Sequence, residues 1–185
     1  VKTAQDRVPA SEPMRFTLGV QIVGDLGSLP GPTAGAGLSL GLLLGRLHVE
    51  ALGTAFLPRV AGSGPAAGSG GEIGMVTAQL RGCFAVLRFF DRALGVSPCL
   101  TAEAGMARGQ GFGLAQQLSP SEPWFAGWLG LSVRHAAWQR WQFGLTAEAG
   151  LPLHRPQWVI DDLGEIFQTA VVAGRLTLHA SVLLP

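Results

Sequence analysis

Two copies of one hexapeptide carry the residues best suited to chemistry: Leu100-Thr-Ala-Glu-Ala-Gly105 and Leu145-Thr-Ala-Glu-Ala-Gly150. Each sets a carboxylate, Glu103 or Glu148, in the middle of an alternating segment, and paired carboxylates are standard equipment for general acid–base catalysis. Read as strands, both copies turn Leu, Ala and Ala to one face and Thr, Glu and Gly to the other. The same polar parity, followed along the chain, collects Glu50, Arg81, Glu103, Arg134, Glu148 and Arg175, whose signs alternate. A neighbouring guanidinium favours an ionised carboxylate and works against proton exchange near neutral pH. Interior ion pairs, by contrast, are the expected way to satisfy buried charge. The pattern therefore predicts a structural ladder rather than a catalytic pair, with partners on adjacent strands ~4.8 Å apart.

Three other groups invite a chemical reading. Cys83 and Cys99 share the inward parity of consecutive strands, and residue 91, midway between them, falls in an expected turn. Directly opposed residues of an antiparallel pair bring Cα atoms within disulfide range, about 4.5–5.5 Å. A bridge is expected, with two small buried thiols as the alternative. A metal site is not expected, because two cysteines without a nearby histidine pair lack the ligand count. His179 and Ser181 suggest a hydroxyl nucleophile with a base, but residues i and i+2 on a strand give only loose proximity. Asp161-Asp162 with Glu165 offers carboxylates for a cation, though such loop pairs are ordinarily solvated. No cofactor is implied.

The elements that must position these residues are strands. Of the 185 residues, 48% are hydrophobic and 14% charged, against about 25% charged in typical globular domains. The 27 glycines argue against long helices. No apolar run reaches the ~18 residues of a transmembrane helix, so crossing a bilayer would require a closed barrel. The net charge of +1 supplies no field for nucleic acid. The start at Val1, without Met or an apolar leader, leads us to expect a processed form or a piece of a longer precursor.

Residues 1–13 are polar and aperiodic and read as a tail or linker; residues 14–185 read as one barrel. Period-2 patterning places eight strands near 14–27, 33–44, 47–58, 73–87, 95–108, 125–134, 141–151 and 168–184. Long connections follow the odd-numbered strands: one with Pro30 and Pro32, then Arg59 to Gly71, Gly109 to Pro123, and His154 to Glu165. Short ones follow the even-numbered strands, at Gly45-Arg46, Phe89 to Arg92 and Gln139-Arg140. An up-and-down meander whose ends differ in this way suits an outer-membrane barrel. Phe89, Phe90, Trp138 and Trp141 fall at the short-turn end, and Trp124, Phe125 and Trp158 at the long-loop end, where aromatic girdles are expected.

On strand count, loop asymmetry and inward charge pairs, the chain from Met14 to Leu184 resembles the small eight-stranded bacterial outer-membrane β-barrel proteins of the outer-membrane protein A and X type. The segment Cys99 to Gly105 is similar to a Cys-x-x-x-Glu-x-Gly strand of glycine- and alanine-rich barrels from high-GC genomes. The end Val182-Leu-Leu-Pro185 departs from the terminal aromatic residue usual in such barrels. The resemblance implies an all-β transmembrane barrel in the bacterial outer membrane, with a side-chain-plugged lumen and a structural or interaction role. Its partners would be outer-membrane lipid and envelope proteins, met through the long loops or the N-terminal tail. The alternatives are a soluble periplasmic barrel of the lipocalin type and an outer-membrane lipid-modifying enzyme.

Overall fold

The computed structural model of the chain describes residues 14–62, 70–89, 93–112, 120–138, 140–160 and 164–184. Eight long strands are β1 (Arg15–Leu26), β2 (Thr33–Leu44), β3 (Leu47–Ala61), β4 (Gly70–Phe84), β6 (Leu94–Phe112), β7 (Ser121–Ala137), β8 (Trp141–Pro152) and β11 (Ala173–Leu183). Three short ones are β5 (Leu87–Phe89), β9 (Gln157–Ile160) and β10 (Gly164–Gln168). Each long strand pairs antiparallel with its successor, and β1 pairs with β11, so the sheet has no open edge. The fold is an all-β, eight-stranded, closed up-and-down barrel. Beyond Phe84 the β4 strand is interrupted, and β5 resumes the pairing with β6.

The register determines the barrel's shape. Paired residues lead from Phe16 through Leu42, Val49, Gly82, Leu100, Leu129, Ala149 and Gly174 back to β1 at Leu26. One circuit thus advances the chain from residue 16 to residue 26. With a rise of ~3.3 Å and a spacing of ~4.8 Å, this stagger tilts the strands roughly 40° from the axis. A 12-residue strand such as β1 then spans about 30 Å along the axis, the thickness of a bilayer's hydrocarbon core.

Alternation sorts the two faces. Ile22, Leu38, Leu100 and Leu129 project outward and are 64–68% exposed, while Thr17, Gln79, Thr101, Ser132 and Thr177 are buried inside. Burial of this polarity is opposite to that of a soluble sheet, whose apolar residues face its core. Inside, the long-loop end is apolar: Val23, Phe56, Ile73, Met75, Trp124 and Trp128 form one cluster with Trp158. From mid-barrel to the short-turn end the interior is polar.

The strands run further than periodicity indicates. β3 reaches Ala61 and β6 reaches Phe112, into stretches expected to be loop. Glycine and alanine blur the alternation there, while backbone pairing is indifferent to it, as in Gly71↔Gly111 and Ile73↔Gly109. The expected loop from His154 to Glu165 contains β9, which pairs with β10 in a separate hairpin. That hairpin places Trp158 in the apolar cluster, with Ile166 and Phe167 packed on it. Residues 1–13, Phe90 and Asp161-Asp162 lie outside the described residues.

Candidate functional site

The charged residues meet in the lumen at three levels. Nearest the apolar end, Glu103 on β6 is an acceptor for four donors. Its Oε1 accepts from Gln79 Nε2 at 3.0 Å and Arg175 Nη1 at 2.9 Å; its Oε2 accepts from Trp128 Nε1 at 2.7 Å and Trp124 Nε1 at 3.2 Å. Arg175 also donates through Nε and Nη2 to Asp25 Oδ2, at 3.1 and 2.9 Å. Its guanidinium carbon lies 4.0 Å from the Trp128 ring centroid and 5.1 Å from that of Phe56, so the cation is held between carboxylates and π faces.

At the middle level Arg81 Nη2 donates to Glu148 Oε2 at 2.8 Å, and Thr101 links the two side chains. The Thr101 hydroxyl donates to Glu148 Oε1 at 2.7 Å and accepts from Arg81 Nε at 3.3 Å. Toward the short turns Arg134 Nη2 donates to Glu50 Oε2 at 2.9 Å and lies 3.8 Å from Cys83 Sγ. Both side chains of the Arg81–Glu148 pair, and of the Arg175 pairs, are at most 1% exposed. Charge this deeply removed from water persists only when its hydrogen-bonding capacity is met.

Backbone geometry makes room for the large members. A β-carbon at Gly150 would enter the Trp128 ring, and one at Gly144 would enter the His179 ring. Glycine at these inward positions lets a neighbour's aromatic side chain lie flat against the wall.

All six residues of the expected ladder are brought together, but their partners differ from those expected. Glu50 is register-paired with Arg81, and Glu148 with Arg175, yet their bonds go elsewhere. Arg81–Glu148, Arg134–Glu50 and Arg175–Glu103 each cross the lumen between non-adjacent strands. Side chains on the concave face of a closed sheet converge on its axis, so the carboxylate nearest a long guanidinium stands on the far wall. The adjacent-strand pair is Arg175 with Asp25, its register partner. Asp25 is a further member that the alternating-charge pattern does not include, although it shares the inward parity of Thr17 and Gln21.

Two girdle assignments are overturned. Trp124 and Trp158 lie inside, 1% and 6% exposed. Trp124 and Phe125 are consecutive on β7 and must face opposite sides; the indole N–H finds Glu103 inside, and Phe125 takes the outer face. Trp158 is carried inward by the β9–β10 hairpin. The inward parity of Trp128 follows from the alternation of β7, but its role as a donor to Glu103 depends on residues remote in sequence. Phe89, Trp138 and Trp141 are exposed at the short-turn end, where Trp141 stacks on Phe143 with centroids 6.5 Å apart.

Cys83 and Cys99 are register partners joined by a disulfide, with Cα atoms 4.1 Å apart. The bridge closes a sequence separation of 16 residues, for which loop-closure entropy corresponds to about 3 kcal/mol. The double variant Cys83→Ser/Cys99→Ser is expected to lose about that much in denaturant unfolding; an unchanged midpoint would assign the bridge no role in stability. His179 Nδ1 has no hydrogen-bond partner, and no bond joins His179 to Ser181, which are both buried. The arrangement a nucleophilic serine requires is not assembled by this pair. Among the described residues no cluster of His, Cys, Asp and Glu has the makings of a metal site.

This closed, externally apolar barrel has the fold of the eight-stranded outer-membrane proteins. It is similar to the structure of a major outer membrane protein from Thermus thermophilus, with TM-score 0.62 and 11% identity over 91% of this chain and 99% of that one. It is also similar to Ail, the attachment invasion locus protein of Yersinia pestis, with TM-score 0.52 and 14% identity over 92% and 97% of the two chains. No family model matches the sequence, and no curated protein matches it.

Proposed function

We propose that the protein is an integral barrel of the bacterial outer membrane, with a lumen plugged by its own side chains. In this reading it serves a structural or interaction role through its long loops, or as a subunit of an envelope complex. The observation that carries the proposal is the polarity of the wall, apolar outside and ion-paired inside. A lipocalin-type barrel needs the reverse, a hollow apolar interior under a polar exterior. An eight-stranded lumen has room for side chains and little more, and the three cross-lumen ion pairs with the apolar cluster beside them support a filled one. Phe89, Trp138, Trp141 and Phe125 then serve as interfacial aromatics, and residues 1–13 act as a linker or a periplasmic tail. Outer-membrane lipid is the first partner.

Two measurements test this reading. The purified chain is expected to require detergent and to show heat-modifiable gel mobility; solubility without detergent would sink the membrane assignment. Reconstituted in a planar bilayer, it is expected to give no steady conductance. A reproducible ohmic step from the wild-type chain would rule out a plugged lumen.

A further inference from the structure

Hydrogen bonding in the lumen is uneven along its axis. Toward the long loops Asp25, Gln79, Glu103, Trp124, Trp128 and Arg175 are all bonded to one another. Among the described residues, five buried side-chain atoms have no partner: Gln21 Oε1, His48 Nδ1, Arg134 Nε, Thr177 Oγ1 and His179 Nδ1. None of them belongs to the Glu103 level. A polar atom left unmet in a dry interior is costly, so this part of the lumen is suited to a polar occupant.

The deficit includes the residues nearest the short turns. Arg134 stands three residues before β7 ends, and His48 one residue after β3 begins. Both point at Glu50 Oε2, Arg134 through Nη2 at 2.9 Å and His48 through Nδ1 at 3.7 Å, the second beyond hydrogen-bond range. His48 Nε2 lies 3.4 Å from Thr17 Oγ1. Arg15, two residues before Thr17 on the same face of β1, is exposed at the mouth, in the register row of Leu43, His48 and Cys83. Its guanidinium has no bond with a described residue.

The wall beside these groups is built of small residues. Gly19, Ser39, Gly41 and Ser181 are the inward positions of β1, β2 and β11 there, and Ser39 and Ser181 flank Gly19. Neither serine hydroxyl is bonded to a described residue. The unused groups include several donors: Arg134 Nε, the Arg15 guanidinium and the two hydroxyls. Among the described residues Glu50 is the one carboxylate on the short-turn side of the Arg81–Glu148 pair. Two guanidiniums against one carboxylate leave a positive charge in excess, and a guanidinium's planar fork suits the oxygens of phosphate or carboxylate.

We propose that the short-turn end of the lumen is a blind vestibule that binds a small dissolved oxyanion between Arg134 and Arg15. Arg134 Nε and the Arg15 guanidinium take its oxygens, Ser39 and Ser181 line the space beside it, and the Arg81–Glu148 pair closes the site. The sheet stands between this site and lipid, so the anion enters from water. The inference rests on the plugged-lumen reading above, since an open channel would pass an ion rather than hold it.

The test is calorimetric titration of the full chain, refolded in uncharged maltoside micelles, with inorganic phosphate. Wild type is expected to bind a single phosphate. Arg134→Lys keeps the charge that faces Glu50 and removes Nε, and is expected to weaken binding about tenfold. Arg15→Gln, at the exposed mouth, is expected to weaken it about threefold. Glu50→Gln takes away the opposing carboxylate and is expected to tighten binding about fivefold. Heat-modifiable mobility verifies that each variant is folded. No binding by wild type, or an affinity indifferent to Arg134→Lys and Glu50→Gln, as for an ion on the outer surface, would overturn the proposal. Failure of the plugged-lumen reading appears separately, as an ohmic step in the planar bilayer.

Discussion

Glu103→Leu is expected to lower the unfolding free energy of the barrel by about 3–5 kcal/mol, the range for removing one partner from a buried charge network. The loss is large because four donors converge on this carboxylate: Gln79, Arg175, Trp124 and Trp128. Leucine replaces the volume and supplies no acceptor, so two indole N–H groups and one arm of a guanidinium are left in a dry interior. Asp25 continues to neutralise Arg175, which keeps the loss within that range. Glu103→Gln keeps an acceptor but gives up the charge, so a smaller loss of about 1–3 kcal/mol is expected. Denaturant titration of the barrel refolded in micelles measures both. An unchanged midpoint for Glu103→Leu would show that the network contributes nothing to stability.

The second large effect is non-additive. Arg81→Met alone is expected to cost about 3–5 kcal/mol by leaving Glu148 buried without its cation. Arg81→Met/Glu148→Leu is expected to recover most of this, because apolar side chains of similar volume substitute well for a buried pair. A residual cost of about 1–3 kcal/mol should remain from Thr101, whose hydroxyl bridges the pair and would lose its acceptor. A double-mutant cycle completed with Glu148→Leu gives the coupling. Additive losses, with the double variant worse than either single one, would mean that the two side chains do not act on each other.

Both predictions concern contacts that sequence alone presents incompletely. The parity of Glu50, Arg81, Glu103, Arg134, Glu148 and Arg175 was legible because a strand's side chains alternate with period 2 and one misplaced charge would face lipid. The pairing was not legible, since parity assigns a side chain to a face and says nothing of its position around the circumference. Asp25 could have been found by continuing the alternation of β1 past Val23. Trp124 could have been turned inward by the same rule, because Phe125 beside it needed the other face. Trp158 could not, as it depends on a hairpin within what reads as a connection.

By itself the sequence determined a closed meander of eight strands, the sidedness of each strand, the long and short ends, and the opposition of Cys83 to Cys99, because all of these follow from local alternation and from the lengths between turns. Tertiary structure alone decided that the ion pairs cross the lumen, that two tryptophans donate to Glu103, and that β9–β10 completes the apolar end. These depend on the stagger from Phe16 to Leu26 that closes the sheet. The stagger sets which residues of non-adjacent strands stand at one height along the axis, a relation that no single strand contains. The twin Leu-Thr-Ala-Glu-Ala-Gly segments show the division: identical in sequence, they place Glu103 under two indoles and Arg175, and Glu148 beside Thr101 and Arg81.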